Sequence, residues 1–251
     1  MFDRLIGRLA GNTGPRTRHR HLDSQLSLAQ TATDQRHLMP FRQTYDYPGP
    51  FIDAAHRGFT ECPTREGMID VGTPGWLLPA DALKLYEMVR FCGGDVLDLG
   101  TYRGLSASIA LQASVAADCP NTILSIDLDP GAREAGIATV AGRPGADRVH
   151  FFNTDADEAL TTFTRAERRF RFCFIDHSHR YEHVRSVCEL LPGVTEPGAF
   201  CLFHDYNDQR NADPSDEDYG VFQGVADGLD PAQFTFWGIY GCTGLFRRNE
   251  G

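Results

Sequence analysis

Two acids, each set among histidines after an apolar run, form the densest chemical grouping in the chain. Phe174-Ile175-Asp176-His177-Ser178-His179-Arg180-Tyr181-Glu182-His183 places an imidazole three residues after a carboxylate, and Phe203-His204-Asp205-Tyr206-Asn207-Asp208 supplies a second carboxylate. Both stand where a strand opens into a loop, the place from which side chains reach a ligand in an open α/β sheet. On neighbouring strands Asp176 and Asp205 would converge, and facing carboxylates repel unless one is protonated or a cation lies between them. A hard divalent ion, Mg²⁺, meets that need, with its remaining ligands drawn from Tyr206, Asn207, Asp208, His204 or water. Such an ion would lower the pKa of a bound hydroxyl. His179 is the candidate base, because imidazole accepts a proton near neutral pH without a large shift. His177, His183 and His204 are alternatives for that role.

A second grouping lies upstream. Asp95-Val96-Leu97-Asp98-Leu99-Gly100 reads as a strand running into a turn, continued by Thr101-Tyr102-Arg103-Gly104-Leu105-Ser106. Gly100 allows a sharp turn, and a side chain at Gly104 would collide with an approaching ligand. A helix opening at Leu105 or Ser106 aims its amides at the same space, where a carboxylate can be held, and Ser106 adds a hydroxyl. The next strand ends in Ile126-Asp127-Leu128-Asp129-Pro130, with an acid roughly 20 to 30 residues after the glycine turn, as for a ribose diol. Asn153-Thr154-Asp155-Ala156-Asp157 offers a carboxylate and amides to an adenine. Gly100 and Gly104 are four apart, so the dinucleotide pattern G-x-G-x-x-G is absent and a pyrophosphate loses its usual support.

The elements that must position these residues alternate regularly. A helix is expected from Pro79 to Gly93, then strands over 95–100, 122–126, 149–152, 170–175 and 199–203, with helices over 106–117, 131–140, 157–163 and 181–191. Runs 234–240 and 243–248, separated by Gly241 and Cys242, suit an antiparallel hairpin. The expected fold is α/β: a Rossmann-like, doubly wound, mostly parallel seven-stranded sheet with a C-terminal antiparallel hairpin and an N-terminal extension. Residues 1 to about 50 lack sustained periodicity, and 1–70 read as a lid, an oligomerisation arm or a partly disordered segment, leaving 71–251 as the ligand-binding domain. Tyr206 to Tyr219 reads as a long acidic loop, either a lid or a solvated connection.

Val96-Leu97-Asp98-Leu99-Gly100-Thr101-Tyr102-Arg103-Gly104-Leu105-Ser106-Ala107 resembles motif I of class I S-adenosylmethionine-dependent methyltransferases, above all the catechol and caffeoyl-CoA O-methyltransferase type with its G-x-Y-x-G-x-S. Gly75-Trp76-Leu77-Leu78 and the run from Phe174 to Asp205 resemble a bacterial natural-product group that includes sugar O-methyltransferases and a cephalosporin hydroxylase-related component. The resemblance spans roughly residues 72–248. It implies S-adenosylmethionine as cofactor. Asp98, Gly100, Thr101, Tyr102, Gly104 and Ser106 would hold its methionine part, Asp127 and Leu128 the ribose, Asp155 and Ala156 the adenine, and Asp176 would border both cofactor and acceptor. In the catechol type the acids matching Asp176 and Asp205 bind Mg²⁺. The chain departs from that type twice: Tyr206 stands where Asn is usual, and His179 where Lys is usual. The bacterial group carries a His there, in D-x-x-H-x-Y. The implied reaction is methylation of a small-molecule hydroxyl, on a natural product or sugar, assisted by the metal, by His179, or by both. A nicotinamide-dependent oxidoreductase is disfavoured by the missing glycine; a non-catalytic cofactor-binding partner of the same fold is the other alternative.

Composition narrows the field further. The net charge of -10 over 251 residues opposes nucleic acid as main partner. The charge is uneven, with eight acids against one Arg over residues 205–230. No apolar run approaches the roughly 20 residues of a bilayer span. Arg4 and Arg8 interrupt the first apolar residues, so a secretory signal is not expected. Seven cysteines without a CxxC pair suit a reduced, cytoplasmic protein. Lys84 is the only lysine, which rules out a P-loop NTPase motif. The expected partners are a small-molecule acceptor and further copies of the chain, with neither nucleic acid nor membrane.

Overall fold

Period-two burial builds the sheet. In the computed structural model, which describes residues 63–213 and 215–250, strand residues send alternate side chains into two separate cores. Val96, Phe172, Phe174, Phe200 and Leu202 enter one; Leu97, Leu99, Cys173, Ile175, Cys201 and Phe203 enter the other. Helices cover both faces, so these strands are apolar on both sides, as parallel strands must be.

A two-residue hairpin, β1 (Thr64–Arg65) and β2 (Met68–Ile69), precedes helix α1 (Pro79–Cys92). There follow β3 (Val96–Leu99), α2 (Leu105–Ala116), β4 (Ile123–Asp127), α3 (Pro130–Val140), β5 (Val149–Asn153) and α4 (Ala156–Arg165). Then come β6 (Phe170–Ile175), α5 (Tyr181–Leu190), β7 (Thr195–Phe203), α6 (Val221–Gly228), β8 (Phe234–Tyr240) and β9 (Thr243–Arg248). The order across the large sheet is β5-β4-β3-β6-β7-β9-β8, parallel from β5 to β7, with β9 antiparallel between β7 and β8. The expected seven-stranded sheet with its terminal hairpin is thus present. The chain leaves β3 toward β5 on one side and returns to β6 on the other, so the switch point lies between β3 and β6.

Register carries the site. Leu99 pairs with Ile175, and Ile175 with Phe203. One residue further on, Gly100, Asp176 and His204 are therefore level with one another, and Asp205 lies a step beyond. The Asp176 amide donates to Leu99 O (2.7 Å) and the His204 amide to Ile175 O (3.0 Å), extending the ladder into the loops.

Two elements were not expected from the sequence. The β1–β2 hairpin lies within the stretch assigned to the N-terminal extension, whose residues 1–62 fall outside the described ones. Helix α6 carries Gly224 and Gly228 and starts beside Gly220, a pattern that lowers helix propensity. Packing requires those glycines: a Cβ at Gly224 would lie 2.8 Å from Val184 Cβ, and one at Gly228 would lie 2.6 Å from Arg185 O. They let α6 press onto α5. No helix among the described residues is long and apolar enough to cross a membrane.

Candidate active site

A cavity of about 700 Å³ opens at the carboxyl ends of the strands, across the switch point. Gly100, Thr101, Tyr102, Leu105, Ser106 and Asp127 line one half. Asp176, His177, His179, His204, Asp205, Asp208, Arg210 and Cys242 line the other, and Met68 with Gly75 to Leu78 and Asp81 completes the wall.

The turn after β3 is built for close approach. Gly100 has φ +103°, and a Cβ there would fall 2.1 Å from Asp176 O, so only glycine lets the ends of β3 and β6 meet. Gly104, at the N-cap of α2, meets α3 instead of the cavity: its Cβ would lie 2.8 Å from Gly136 Cα. The ligand-clearance role expected for Gly104 is thus replaced by a helix contact. Tyr102 takes φ 44°, uncommon for a bulky residue, and stacks on Trp76 at 5.0 Å on the exposed rim. Asp127 accepts the Tyr102 amide at 2.9 Å through one oxygen and the Asp129 amide at 2.9 Å through the other. Beneath the turn, buried Asp98 accepts from Ser125 Oγ (2.6 Å) and Ser106 Oγ (3.1 Å), while Thr101 and Ser125 hydroxyls meet at 2.7 Å. Burial pushes the Asp98 carboxyl up to about 7, against the lowering effect of the two serines.

The other half is a chain of charged rings and acids. Asp205 is the second left-handed non-glycine residue of the cavity (φ 56°), a conformation Asp tolerates. Its Oδ2 is 2.9 Å from His179 Nε2 and 3.1 Å from His204 Nδ1. His204 Nδ1 also lies 3.2 Å from Asp176 Oδ1, and its Nε2 lies 3.4 Å from Asp81 Oδ2. Burial opposes a charge on His204, but Asp176, Asp205 and Asp81 hold its pKa well above the usual imidazole value. Burial would likewise raise Asp205, yet the two histidines hold it well below the carboxylate range. The hydrogen bond to Asp205 raises His179. His177, by contrast, is pushed down by burial.

The loop after β7 closes over this chain. The Tyr219 ring stacks on His179 (4.8 Å), with the Arg210 guanidinium 3.9 Å from the Tyr219 ring centroid and paired with Asp208 at 2.9 Å. The Gly220 amide donates to His179 O at 2.7 Å.

Residues 97–206 match the family described as a methyltransferase domain. The solved O-methyltransferase TomG from Streptomyces achromogenes, involved in tomaymycin synthesis and bound to S-adenosylmethionine, superposes with TM-score 0.56. It is 19% identical, over 70% of this chain and 82% of that one. An O-methyltransferase from Bacillus cereus bound to S-adenosylhomocysteine superposes with TM-score 0.57 at 13% identity, over 79% and 92% of the two chains. The chain has a Rossmann-like methyltransferase fold. The sequence matches no curated protein.

Within this methyltransferase fold the expected cofactor residues divide. Gly100, Thr101, Tyr102, Ser106, Asp127 and Asp176 line the cavity. Asp98 lies beneath it, tied to Ser106. Leu128 is exposed beyond β4, and Asp155 caps α4 by accepting the Asp157 and Glu158 amides, with Ala156 as the first residue of that helix. His183 meets Ser178 Oγ at 3.1 Å and does not line the cavity.

The expected metal ligands need correction. Tyr206 is buried among Phe222, Phe236 and Phe246, facing the core instead of the cavity, and burial raises its phenol further from ionisation. Asn207 donates from its side chain to Gly241 O at 3.2 Å, serving the β8–β9 turn. Asp176, His179 and Asp205 do bring ligand atoms within 4.8 Å of one another, as do Asp205, Asp208 and Cys242. Mg²⁺ is held by one or two carboxylates with water completing its shell, so what decides is whether these carboxylates are free to take an ion. Both carboxylates of the first set already face an imidazole, and Asp208 is engaged by Arg210. As arranged, with an imidazole already beside each carboxylate of the first set, the donors do not fit Mg²⁺.

His204, Asp81 and Tyr219 are the residues whose parts sequence reasoning missed. In the sequence His204 is one of several candidates for ligand or base, and Asp81 stands out only as an acid near the start of the helix expected from Pro79. It does bind the Leu78 amide at 2.8 Å, but it also takes the Cys242 amide at 2.7 Å and faces His204. No spacing signal joins residues 81, 204 and 242.

Proposed function

We propose that the chain is an S-adenosylmethionine-dependent O-methyltransferase acting on a hydroxyl of a small molecule, such as a natural product or sugar, with His179 as general base. The observation that carries this reading is the His179–Asp205 pair at 2.9 Å, facing one cavity together with the glycine turn and Asp127. The two solved neighbours named as O-methyltransferases, bound to the cofactor or its demethylated product, support it.

The cofactor fits what the cavity offers: Asp127 for a diol, the backbone amides at the amino end of α2 for a carboxylate, and a volume within the range of small-molecule sites. S-adenosylmethionine supplies a methyl group on a sulfonium. His179 commits Nε2–H to Asp205, so the neutral ring keeps its lone pair on Nδ1, and that atom takes the acceptor's hydroxyl proton. When bound, the cofactor would supply the methyl group for the acceptor oxygen and leave demethylated, while His179 would hold the released proton and Asp205 would steady the imidazolium. Stacking on Tyr219 holds the ring plane during the transfer.

Two measurements test the proposal: calorimetric titration with S-adenosylhomocysteine, and transfer of labelled methyl to a panel of hydroxyl compounds. Saturable binding and labelled product are expected, with His179→Ala retaining the first and losing the second by about 100-fold or more. Failure of S-adenosylhomocysteine to bind would overturn the cofactor, and full transfer by His179→Ala would overturn the base.

A further inference from the structure

We propose that the imidazolium of His204 is a resident cation of this site, occupying with a side chain the place among Asp81, Asp176 and Asp205 that a divalent ion takes where acids converge. Three carboxylates meet here. Asp81 is fully buried, and Asp205, like His204, is 7% exposed. Acids so placed cannot all remain ionised without a positive partner. The ring nitrogens of His204 lie within ion-pair distance of all three, at 3.4, 3.2 and 3.1 Å, without hydrogen-bond alignment to any of them. The β6–β7 register puts it there, setting His204 level with Asp176. The buried Phe174 ring lies beside that of His204, with centroids 6.1 Å apart.

The position also explains why the neighbouring residue is spared as a ligand. Tyr206 turns into the aromatic core, and no oxygen is lost from a coordination shell because the cation is already bonded to the chain. His204 acts as a positioning residue. It shares Asp205 Oδ2 with His179, so the carboxylate that orients the base is held between two rings. Orientation of the base then does not depend on an ion that can dissociate.

The inference rests on the three acids and the ring, and its test requires neither cofactor nor acceptor, so it stands or falls separately from methyl transfer. Mn²⁺ alone is titrated calorimetrically into the full chain, into His204→Ala and into His204→Gln, with circular dichroism checking the fold. The unaltered chain is expected to show no saturable one-to-one binding up to about 1 mM, the weak end of carboxylate sites. Either folded variant, freed of the imidazolium, is expected to bind Mn²⁺ about tenfold tighter or more, and adding Asp176→Asn should abolish the gain. A merely structural His204 would not create an ion site on removal. Saturable binding by the unaltered chain that is lost in Asp176→Asn overturns the proposal, as does a folded variant that binds no better. Should both variants fail to fold, the titration of the unaltered chain decides alone.

Discussion

One oxygen of Asp205 faces two imidazoles within ion-pair distance, and that arrangement sets the acid–base behaviour of the site. Its carboxyl is held well below the ordinary range, so it stays ionised wherever the protein is folded and active, and it raises His179 in turn. A base works only when neutral. Turnover should therefore rise with pH through the elevated pKa of His179. Asp205→Asn removes the main raising influence, so the acid limb of the kcat profile should move to lower pH, toward about 6.5, while the plateau falls. An unmoved limb would show that another group sets the profile. Gly100 makes a different demand. With φ +103° and the Asp176 carbonyl 2.1 Å from where a Cβ would stand, Gly100→Ala should cost about 2 kcal/mol or more of stability, read by urea unfolding.

At the scale of elements, the connection from β7 to α6 does more than link them. Asn211 donates to Asp205 O at 2.8 Å and to Asp208 O at 3.0 Å, and it accepts the Phe222 amide at 2.9 Å, tying the loop to strand end and helix start. Tyr219 is delivered against His179, with Arg210 on the Tyr219 ring and its Nη2 donating to Tyr219 OH at 2.9 Å. Loss of that ring should free the imidazole to turn. Tyr219→Ala is expected to lower kcat about tenfold, since misplaced groups lose orientation, whereas Tyr219→Phe keeps the stack and should stay within about threefold of the unaltered chain. Equal losses in both variants would assign the effect to the hydroxyl and its Arg210 bond. The segment's acidic composition announced a loop beside the site, but the α6 helix within reach of it was hidden. Gly220, Gly224 and Gly228 read as breakers in sequence and act as contact surface only once α5 lies against them.

At the scale of the whole molecule, the cavity spans the switch point, so a ligand there touches the ends of β3, β4, β6 and β7 together. Binding to the folded state alone stabilises by about 2.7 kcal/mol at 100 times Kd, which for a chain of this size raises Tm by about 5 to 10 °C. S-adenosylhomocysteine should give a shift of that order, and Asp127→Asn should reduce it. A shift unaffected by Asp127→Asn would move the ribose elsewhere in the cavity.

The order of elements was already legible in the chain, because strand and helix follow from local periodicity and from glycine, proline and capping residues. Thus Val96–Leu99, Phe170–Ile175 and the β8–β9 hairpin appear where the apolar runs stand. The glycine turn, Asp127 and the two acids could also be placed at strand ends, since each follows such a run. How those ends meet was decided only by tertiary structure. The register between β6 and β7 aligns His204 with Asp176, and the chain beyond sends Tyr206 into the core. Which charge neutralises which is a matter of distance through space, and residues 81, 176, 179, 204 and 205 become neighbours only when three elements converge.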